Sequence, residues 1–502
     1  MRKALLSLLL RVFHLHKSSV PIDKKGLIVI LIDGLGYNVF NHSLEKKQGR
    51  FFSKLIKRGF SVHPYFCGIP AATTATEAEL FFGTSENIPG FTWYDRSLSQ
   101  FVRGNKGESI AGFEQKMKKK CQLLKSGSCI LGIYSSGATQ CDLSGVQLNL
   151  KHPLQAFRKL QYILFIFLNP IRLILTLYLI LKSLLISIFV SSKERSKKKF
   201  ILLIKDAFSR IFLGNIASYI AELEIARETP ILFIDYVLYD EFAHEYGVEQ
   251  KISYSALRLI DWYCESLYKT ANKSDRKYEF LILSDHGQTP SRSINGNERL
   301  IDIVQNSLDD SSYQVIKTFG TQLSVQEKKM AYVVPGGSSA QVYFSDRLQN
   351  PYLLGELEVK FPAIVEKLLK NQEIGWVLIR KNNEMQTLIG KGGLVEFSHG
   401  KVQKITGSPF GAMTLDQRIP QSLARYATFE NNGDVVLFTN VDDAGILYSF
   451  ENHRGTHGGF YGDMTKPFIL TNNEMVIGQL KKNNEMSLVF ESIRSSYGAD
   501  KL

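Results

Sequence analysis

Cysteine is scarce in this chain. Its 502 residues hold five: Cys67, Cys121, Cys129, Cys141 and Cys264. The number is odd, and no two have the close spacing of a metal knuckle. That speaks against a thiolate zinc site and a disulfide framework, so reduced thiols in a cytosolic compartment are expected. Internal repeats, low-complexity tracts and long disordered linkers are also missing. The start, MRKALLSLLLRVFHLHK, has the charge and leucines of a signal peptide. It has no small-residue cleavage site, however, and Arg11 interrupts its apolar run. Residues 1–20 are expected to form a basic amphipathic helix, lying on a membrane or packed on the body of the protein.

Apolar bulk and positive charge are what the chain does have. At 44% hydrophobic it can bury a large core, and its length suggests two or three domains. The formal net charge is +13, a balance that suits nucleic acid, a membrane or a phosphorylated substrate. Placement decides among these. The basic residues flank an apolar segment instead of interleaving with aromatics on a polar face, which argues against nucleic acid as a partner. That segment runs from Leu154 to Val190, is interrupted at Asn169-Pro170, and is followed by Lys193, Arg195, Lys197, Lys198 and Lys199. A single crossing would put residues expected in one site on opposite sides of a bilayer. Two crossings need roughly 40 apolar residues plus a turn, slightly more than is present. Residues 151–200 are therefore expected to form a helical hairpin that dips into or lies on an anionic cytoplasmic membrane surface. On that expectation the protein is membrane-associated and its catalytic domain faces the cytoplasm.

The globular remainder is organised around Leu27 to Gly36, LIVILIDGLG. Its continuous apolar run reads as a strand of a parallel sheet buried on both faces, ending at Asp33 where ligands bind in open α/β sheets. Pro230 to Tyr236 and Tyr278 to Ser284 have the same form, and Cys129 to Tyr134 reads as another buried strand. The first of these leads to Asp240 and His244 in DEFAHEYG, and the second to Asp285 and His286 in LSDHGQ. An Asp-x-x-x-His pair shares one face of a helical turn. His457 follows in GTHGG. Carboxylate and imidazole together suit Zn²⁺, Mn²⁺ or Fe²⁺. In Phe66 to Gly83, FCGIPAATTATEAELFFG, Thr74 and Glu77 read as a capping box for a helix starting near Ala75. That leaves the Thr73 hydroxyl free at the positive end of the helix. The aromatic loop downstream, with Trp93 and Tyr94, reads as a wall of a substrate pocket. From about Ser312 short alternating strands surround a helix over Leu353–Leu369, a texture expected of a smaller α+β unit.

In order and spacing, ILIDGLG, PAATTATEAELFFG, DEFAHEYG, LSDHGQ and GTHGG resemble the alkaline phosphatase superfamily, in particular its type I phosphodiesterase/nucleotide pyrophosphatase branch. FIDYVLYDEFAHEYG and FENHRGTHGGFYGDMTKPFIL resemble a bacterial subgroup with membrane-associated members. The resemblance implies a three-layer α/β/α sandwich with a mostly parallel sheet. The catalytic domain would comprise residues 21–150, 201–311 and 431–502, with the hairpin and an α+β subdomain over 312–430 inserted. It also implies two divalent metal ions, Zn²⁺ first and Mn²⁺ as the alternative. Asp240, His244 and His457 would hold one. Asp33, Asp285, His286 and Thr73 would hold the other. Thr73, three residues after Pro70, would be the nucleophile of a phosphothreonine intermediate. Thr76 stands where the family often has an asparagine contacting a phosphoryl oxygen, and offers one hydroxyl in place of an amide. The missing Cys/Ser-x-Pro-x-Arg motif argues against a sulfatase. The implied activity is hydrolysis of a phosphoester substrate, lipid or lipid-linked if the membrane reading holds. The alternatives are transfer of a lipid-linked head group and a non-catalytic membrane scaffold.

Overall fold

The computed structural model describes residues 16–117, 121–143, 200–318 and 329–497 apart from positions 295, 412, 414 and 443. It also describes Leu10, Arg11, Ile174, Leu177, Tyr178, Leu181 and Leu185. The hairpin expected over 151–200 and most of the N-terminal helix lie outside the described residues. Leu10 packs against the first of the two cores of the main sheet.

Seven strands form that sheet, in the order Ser61–Pro64, Phe468–Thr471, Tyr278–Leu283, Gly26–Ile32, Ile231–Tyr236, Ser128–Ile130, Gln140–Asp142. Phe468–Thr471 is the antiparallel member of a mostly parallel set. The Gly26–Ile32 strand lies at the centre, with Leu27 opposite Ile231 on one side and Glu279 on the other. Its side chains alternate between two cores. Ile28, Ile30 and Ile32 join the cluster beneath the helices Tyr37–Glu45, Arg50–Ile56 and Lys251–Ala271. Leu27, Val29 and Leu31 join the cluster beneath Thr73–Phe82, Gly107–Met117 and Met486–Tyr497. This is the three-layer α/β/α sandwich. Leu27 through Ile32 are at most 2% exposed, and each such side chain contributes roughly 1.5–3 kcal/mol by leaving water.

A second sheet has eight strands: Tyr313–Lys317, Lys329–Gly336, Ser339–Phe344, Val435–Thr439, Ile374–Arg380, Met385–Gly390, Gly393–Ser398 and Lys401–Gly407, neighbours in that order. Three expectations are corrected here. Val435–Thr439, assigned to the last part of the catalytic domain, sits in the middle of this second sheet, paired with Ser339–Phe344 and Ile374–Arg380. The helix over Leu353–Leu369 is two helices, Leu354–Lys360 and Ile364–Lys370, because Pro362 lacks the N–H a helix needs and Ala363 turns at φ 57°. The strand over Cys129–Tyr134 stops at Ile130, since Leu131 adopts φ 62°. All five cysteines are free thiols. Among the described residues no helix is long and apolar enough to cross a membrane.

Candidate active site

Three adjacent strands deliver the acidic residues. Asp33 follows Gly26–Ile32, Asp285 follows Tyr278–Leu283, and Asp240 lies on the helix Leu238–Tyr246 that follows Ile231–Tyr236. The Gly34 N–H donates to Asp285 Oδ1 at 3.0 Å, and the Leu35 N–H donates to Ser284 Oγ at 3.0 Å. These bonds tie the two strand ends together. Gly34 has φ +73°, and a Cβ there would lie 2.3 Å from Asp240 Oδ1. The turn can therefore approach Asp240 only as glycine.

The structure brings Asp33, Asp285, His286 and Thr73 together. His286 Nε2 lies 3.1 Å from Asp285 Oδ2, 3.7 Å from Asp33 Oδ1 and 3.4 Å from Thr73 Oγ1. Asp240 is joined by His244, whose Nε2 is 3.1 Å from Asp240 Oδ2, and by His457, whose Nε2 is 3.9 Å from Asp240 Oδ1. Among the described residues, two groups have ligand atoms within 4.8 Å of one another: Asp33 with Asp285 and His286, and Asp240 with His286 and His457. His286 thus stands between the two groups, and His244 supports the second from beside Asp240.

Each imidazole is held from behind. His244 Nδ1 bonds the Gly455 carbonyl at 2.7 Å, His457 Nδ1 the Ala71 carbonyl at 2.8 Å, and His286 Nδ1 the Gly287 carbonyl at 3.0 Å. A carbonyl accepts only, so each Nδ1 carries a proton and each Nε2 is directed at the carboxylates, the arrangement of a metal-ligating histidine. Asp33 Oδ1 and Asp285 Oδ2 are buried without a hydrogen-bond partner. Burial, together with the charges of Asp240, Asp285 and Asp235, pushes the Asp33 carboxyl well above the carboxylate range. Burial also opposes charge on Asp240, but His244 outweighs it and holds the carboxyl well below that range. Burial opposes charge on His244 as well, yet Asp240 raises it to about 9. Burial, then His286, holds His457 well below the usual range. Crowded, desolvated oxygens beside oriented imidazoles fit divalent cations such as Zn²⁺ or Mn²⁺.

The helix Thr73–Phe82 begins earlier than expected, with Ala72 at its N-cap and no side-chain cap. The expected capping box is absent. Thr74 Oγ1 donates to the Gly90 carbonyl, and Glu77 Oε2 accepts the Ile133 N–H at 2.8 Å. Thr73 is nevertheless the residue at the helix start, beside His286. Thr76 does not present its hydroxyl to a ligand, because Oγ1 donates to the Asp285 carbonyl at 3.1 Å. Trp93 and Tyr94 are core residues, 0% and 2% exposed. Trp93 packs edge-on against Phe113, while Tyr94 packs against Phe101 and Tyr343 of the second sheet. Both are consumed by packing.

Two residues within the quoted motifs were not singled out from sequence. Gln288 donates from Nε2 to the Asp240 carbonyl and to its Oδ1, fixing that carboxylate. His453 stacks on His244 with ring centroids 4.0 Å apart. Only the motif FENHRGTHGG itself carried a signal for it.

Fold and site together define a three-layer α/β/α sandwich that gathers buried carboxylates and imidazoles at the ends of its central strands. The family model described as type I phosphodiesterase/nucleotide pyrophosphatase matches residues 192–374, a span that contains Asp240, His244, Asp285 and His286. The motifs resemble this same family. No curated protein matches. Among solved structures, a phosphonoacetate hydrolase from Sinorhizobium meliloti 1021 is 13% identical, covering 96% of this chain and 100% of that one, with a TM-score of 0.45. The alkaline phosphatase PafA is 12% identical, covering 89% and 91%, with a TM-score of 0.49. Murine ectonucleotide pyrophosphatase/phosphodiesterase 5 is 11% identical, covering 94% and 95%, with a TM-score of 0.46.

Proposed function

We propose that this protein is a metal-dependent phosphodiesterase or phosphatase that passes the phosphoryl group through Thr73. The observation that carries the reading is the Thr73 hydroxyl, 3.4 Å from His286 Nε2 at the start of a helix and beside buried carboxylates with unpartnered oxygens. Asp33, Asp285 and His286 would hold one cation, and Asp240, His457 and His244 the other. When bound, such a pair stabilises the attacking and leaving oxygens of an in-line displacement.

The chain's own residues do the rest. Thr73 Oγ1 attacks phosphorus as its proton passes to solvent water. The bond from phosphorus to the leaving oxygen breaks, and that oxygen takes the electron pair. Water then attacks the phosphothreonine, releasing the phosphoryl group and returning a proton to Oγ1. The helix dipole favours the negative charge gathering at Thr73. Ala71 and Gly455 keep two imidazoles aimed inward by accepting from Nδ1.

Turnover of aryl phosphate mono- and diesters by protein reconstituted with Zn²⁺ or Mn²⁺ tests the activity, and inertness toward both overturns it. Thr73→Ala is expected to lower turnover roughly a thousandfold or more with metal content intact. Wild-type turnover in that variant would reject the nucleophile.

Action at an anionic membrane surface is part of the same proposal. Within the apolar segment, Ile174, Leu177, Tyr178, Leu181 and Leu185 are helical and 48–65% exposed. Their spacing puts them on one helix face. Five basic residues follow this segment in sequence, between Lys193 and Lys199. Deleting residues 160–190 is expected to leave active protein that no longer floats with anionic liposomes; unchanged flotation would remove the membrane from the reading.

A further inference from the structure

Asp240 is held by a residue outside the ligand set. Gln288 is fully buried, two residues beyond His286 and just before the strand Thr289–Ser293. Its Nε2 donates to the Asp240 carbonyl at 3.0 Å and to Asp240 Oδ1. A carbonyl and a carboxylate oxygen only accept, so the amide must turn its NH₂ toward them. Oε1 then faces Gly455, where a Cβ would lie 2.4 Å away, and it has no hydrogen-bond partner. Both donors of this amide are spent on one residue, on its main chain and its side chain together. That fixes the rotation of the Asp240 carboxylate relative to its own backbone. The amide is also neutral, so it orients the carboxylate without cancelling the charge a cation needs. A lysine or arginine in its place would repel that cation.

His453 does for His244 what Gln288 does for Asp240. Its ring lies against the His244 ring with centroids 4.0 Å apart, and it belongs to neither group of converging ligand atoms. The residues that follow continue the brace. The Arg454 N–H donates to the His244 carbonyl at 2.7 Å, and the Gly455 carbonyl accepts from His244 Nδ1 at 2.7 Å. His457, itself a ligand, comes two residues later. This segment pairs with the strand that Gln288 leads into, Gly455 opposite Pro290 and Thr456 opposite Thr289. The support for Asp240 and the support for His244 are thereby joined by one ladder. Asp33 and Asp285 are tied separately, through the Gly34 and Leu35 N–H groups.

We propose that Gln288 and His453 are positioning residues that set the affinity of the Asp240–His244–His457 site for its cation and leave that of the Asp33–Asp285–His286 site unchanged. The inference rests on the two-cation reading above and adds an asymmetry to it. One site is aimed by side chains that do not ligate, the other by the backbone of its own strand ends. Partners that orient ligands in this way are worth about 10–100-fold in metal affinity.

The test reads metal binding and needs no substrate. Metal-free full-length protein is titrated with Zn²⁺ in competition with a chromophoric chelator. Wild type is expected to take up two Zn²⁺ per chain. Gln288→Met keeps the length of the side chain and removes both donors. It is expected to bind one Zn²⁺ as wild type does and the other about 10–100-fold more weakly. His453→Ala is expected to weaken the same step, and His453→Phe, which keeps a ring against His244, to restore it. That pair carries the test should Gln288→Met fail to fold. In a His457→Ala background one Zn²⁺ is expected to remain, and adding Gln288→Met should leave its affinity unchanged. Equal weakening of both sites in the single variants, or a fall at the remaining site in the double variant, would mark a structural role and overturn the proposal. So would wild-type affinity at both sites in Gln288→Met and His453→Ala. The two-cation reading fails on wild type alone, if it binds fewer than two Zn²⁺, and this proposal falls with it.

Discussion

Gly34 shows how tightly single residues are set around the site. It combines a left-handed φ of +73° with a hypothetical Cβ 2.3 Å from Asp240 Oδ1. Gly34→Ala is therefore strained twice: by a conformation that L side chains adopt reluctantly and by displacement of a carboxylate aimed at the cluster. The expected outcome is a loss of about 1–3 kcal/mol in stability, together with loss of bound zinc by elemental analysis. Full metal content in a folded variant would show that Asp240 does not need its present position. The ligand-type residues were legible at this scale because each sits in a run whose form betrays its place. The threonines were only half legible. Thr74 and Glu77 have the spacing of a capping box, but tertiary partners at Gly90, Ile133 and Tyr134 outbid the local pairing. Trp93 and Tyr94 misled because an aromatic loop reads the same whether it faces a ligand or, as here, a second sheet.

At the scale of elements, the helix Arg50–Ile56 starts on a borrowed cap. Its first N–H groups have no cap from their own segment. Asp261, on the helix Lys251–Ala271, accepts the Phe51 N–H at 3.0 Å and the Phe52 N–H at 2.9 Å. The carboxylate therefore also pins one helix to another across 209 residues of sequence. Asp261→Ala is expected to destabilise the protein by roughly 1–3 kcal/mol, as a buried donor pair loses its acceptor. Chemical denaturation measures this, and a change within error would mean that water replaces the carboxylate. No sequence pattern announces such a cap, because its partners are distant. The strands Gly26–Ile32, Ile231–Tyr236 and Tyr278–Leu283 are the opposite case, since burial on both faces imposes an unbroken apolar run. Ser61–Pro64 is half-exposed and has no such run, so nothing in SVHP marked it as a strand. Val435–Thr439 was recognisable as a strand, but its sheet was not, because pairing with Ser339–Phe344 and Ile374–Arg380 leaves no trace in its own residues.

Across the whole molecule, buried carboxyls set how stability responds to pH and to metal. Burial raises Asp261 to about 6 in the first half of the fold, and burial raises Asp434 to about 6 in the second sheet. A carboxyl with a raised folded value binds more protons folded than unfolded between about 4 and its folded value. The stability it contributes is complete below about 4 and is lost as pH climbs to about 6. Asp33 acts in the same direction through burial and its carboxylate neighbours, and His244, raised to about 9, loses its contribution between about 6.5 and 9. His457, held well below the usual range, acts in the opposite direction up to about 6.5, so metal-free protein is expected to weaken clearly above about pH 6.5, where His244 loses its contribution. A cation in the cluster replaces the protons that Asp33 and His244 would otherwise hold, so its affinity rises as those protons become harder to retain. The stabilisation from saturating Zn²⁺ is therefore expected to grow with pH, by several degrees in melting temperature between pH 5.5 and pH 8. Paired melting curves with and without Zn²⁺ across that range measure the difference directly. A gap that stays flat or shrinks would mean that zinc binds elsewhere, and that these oxygens and imidazoles are not its ligands.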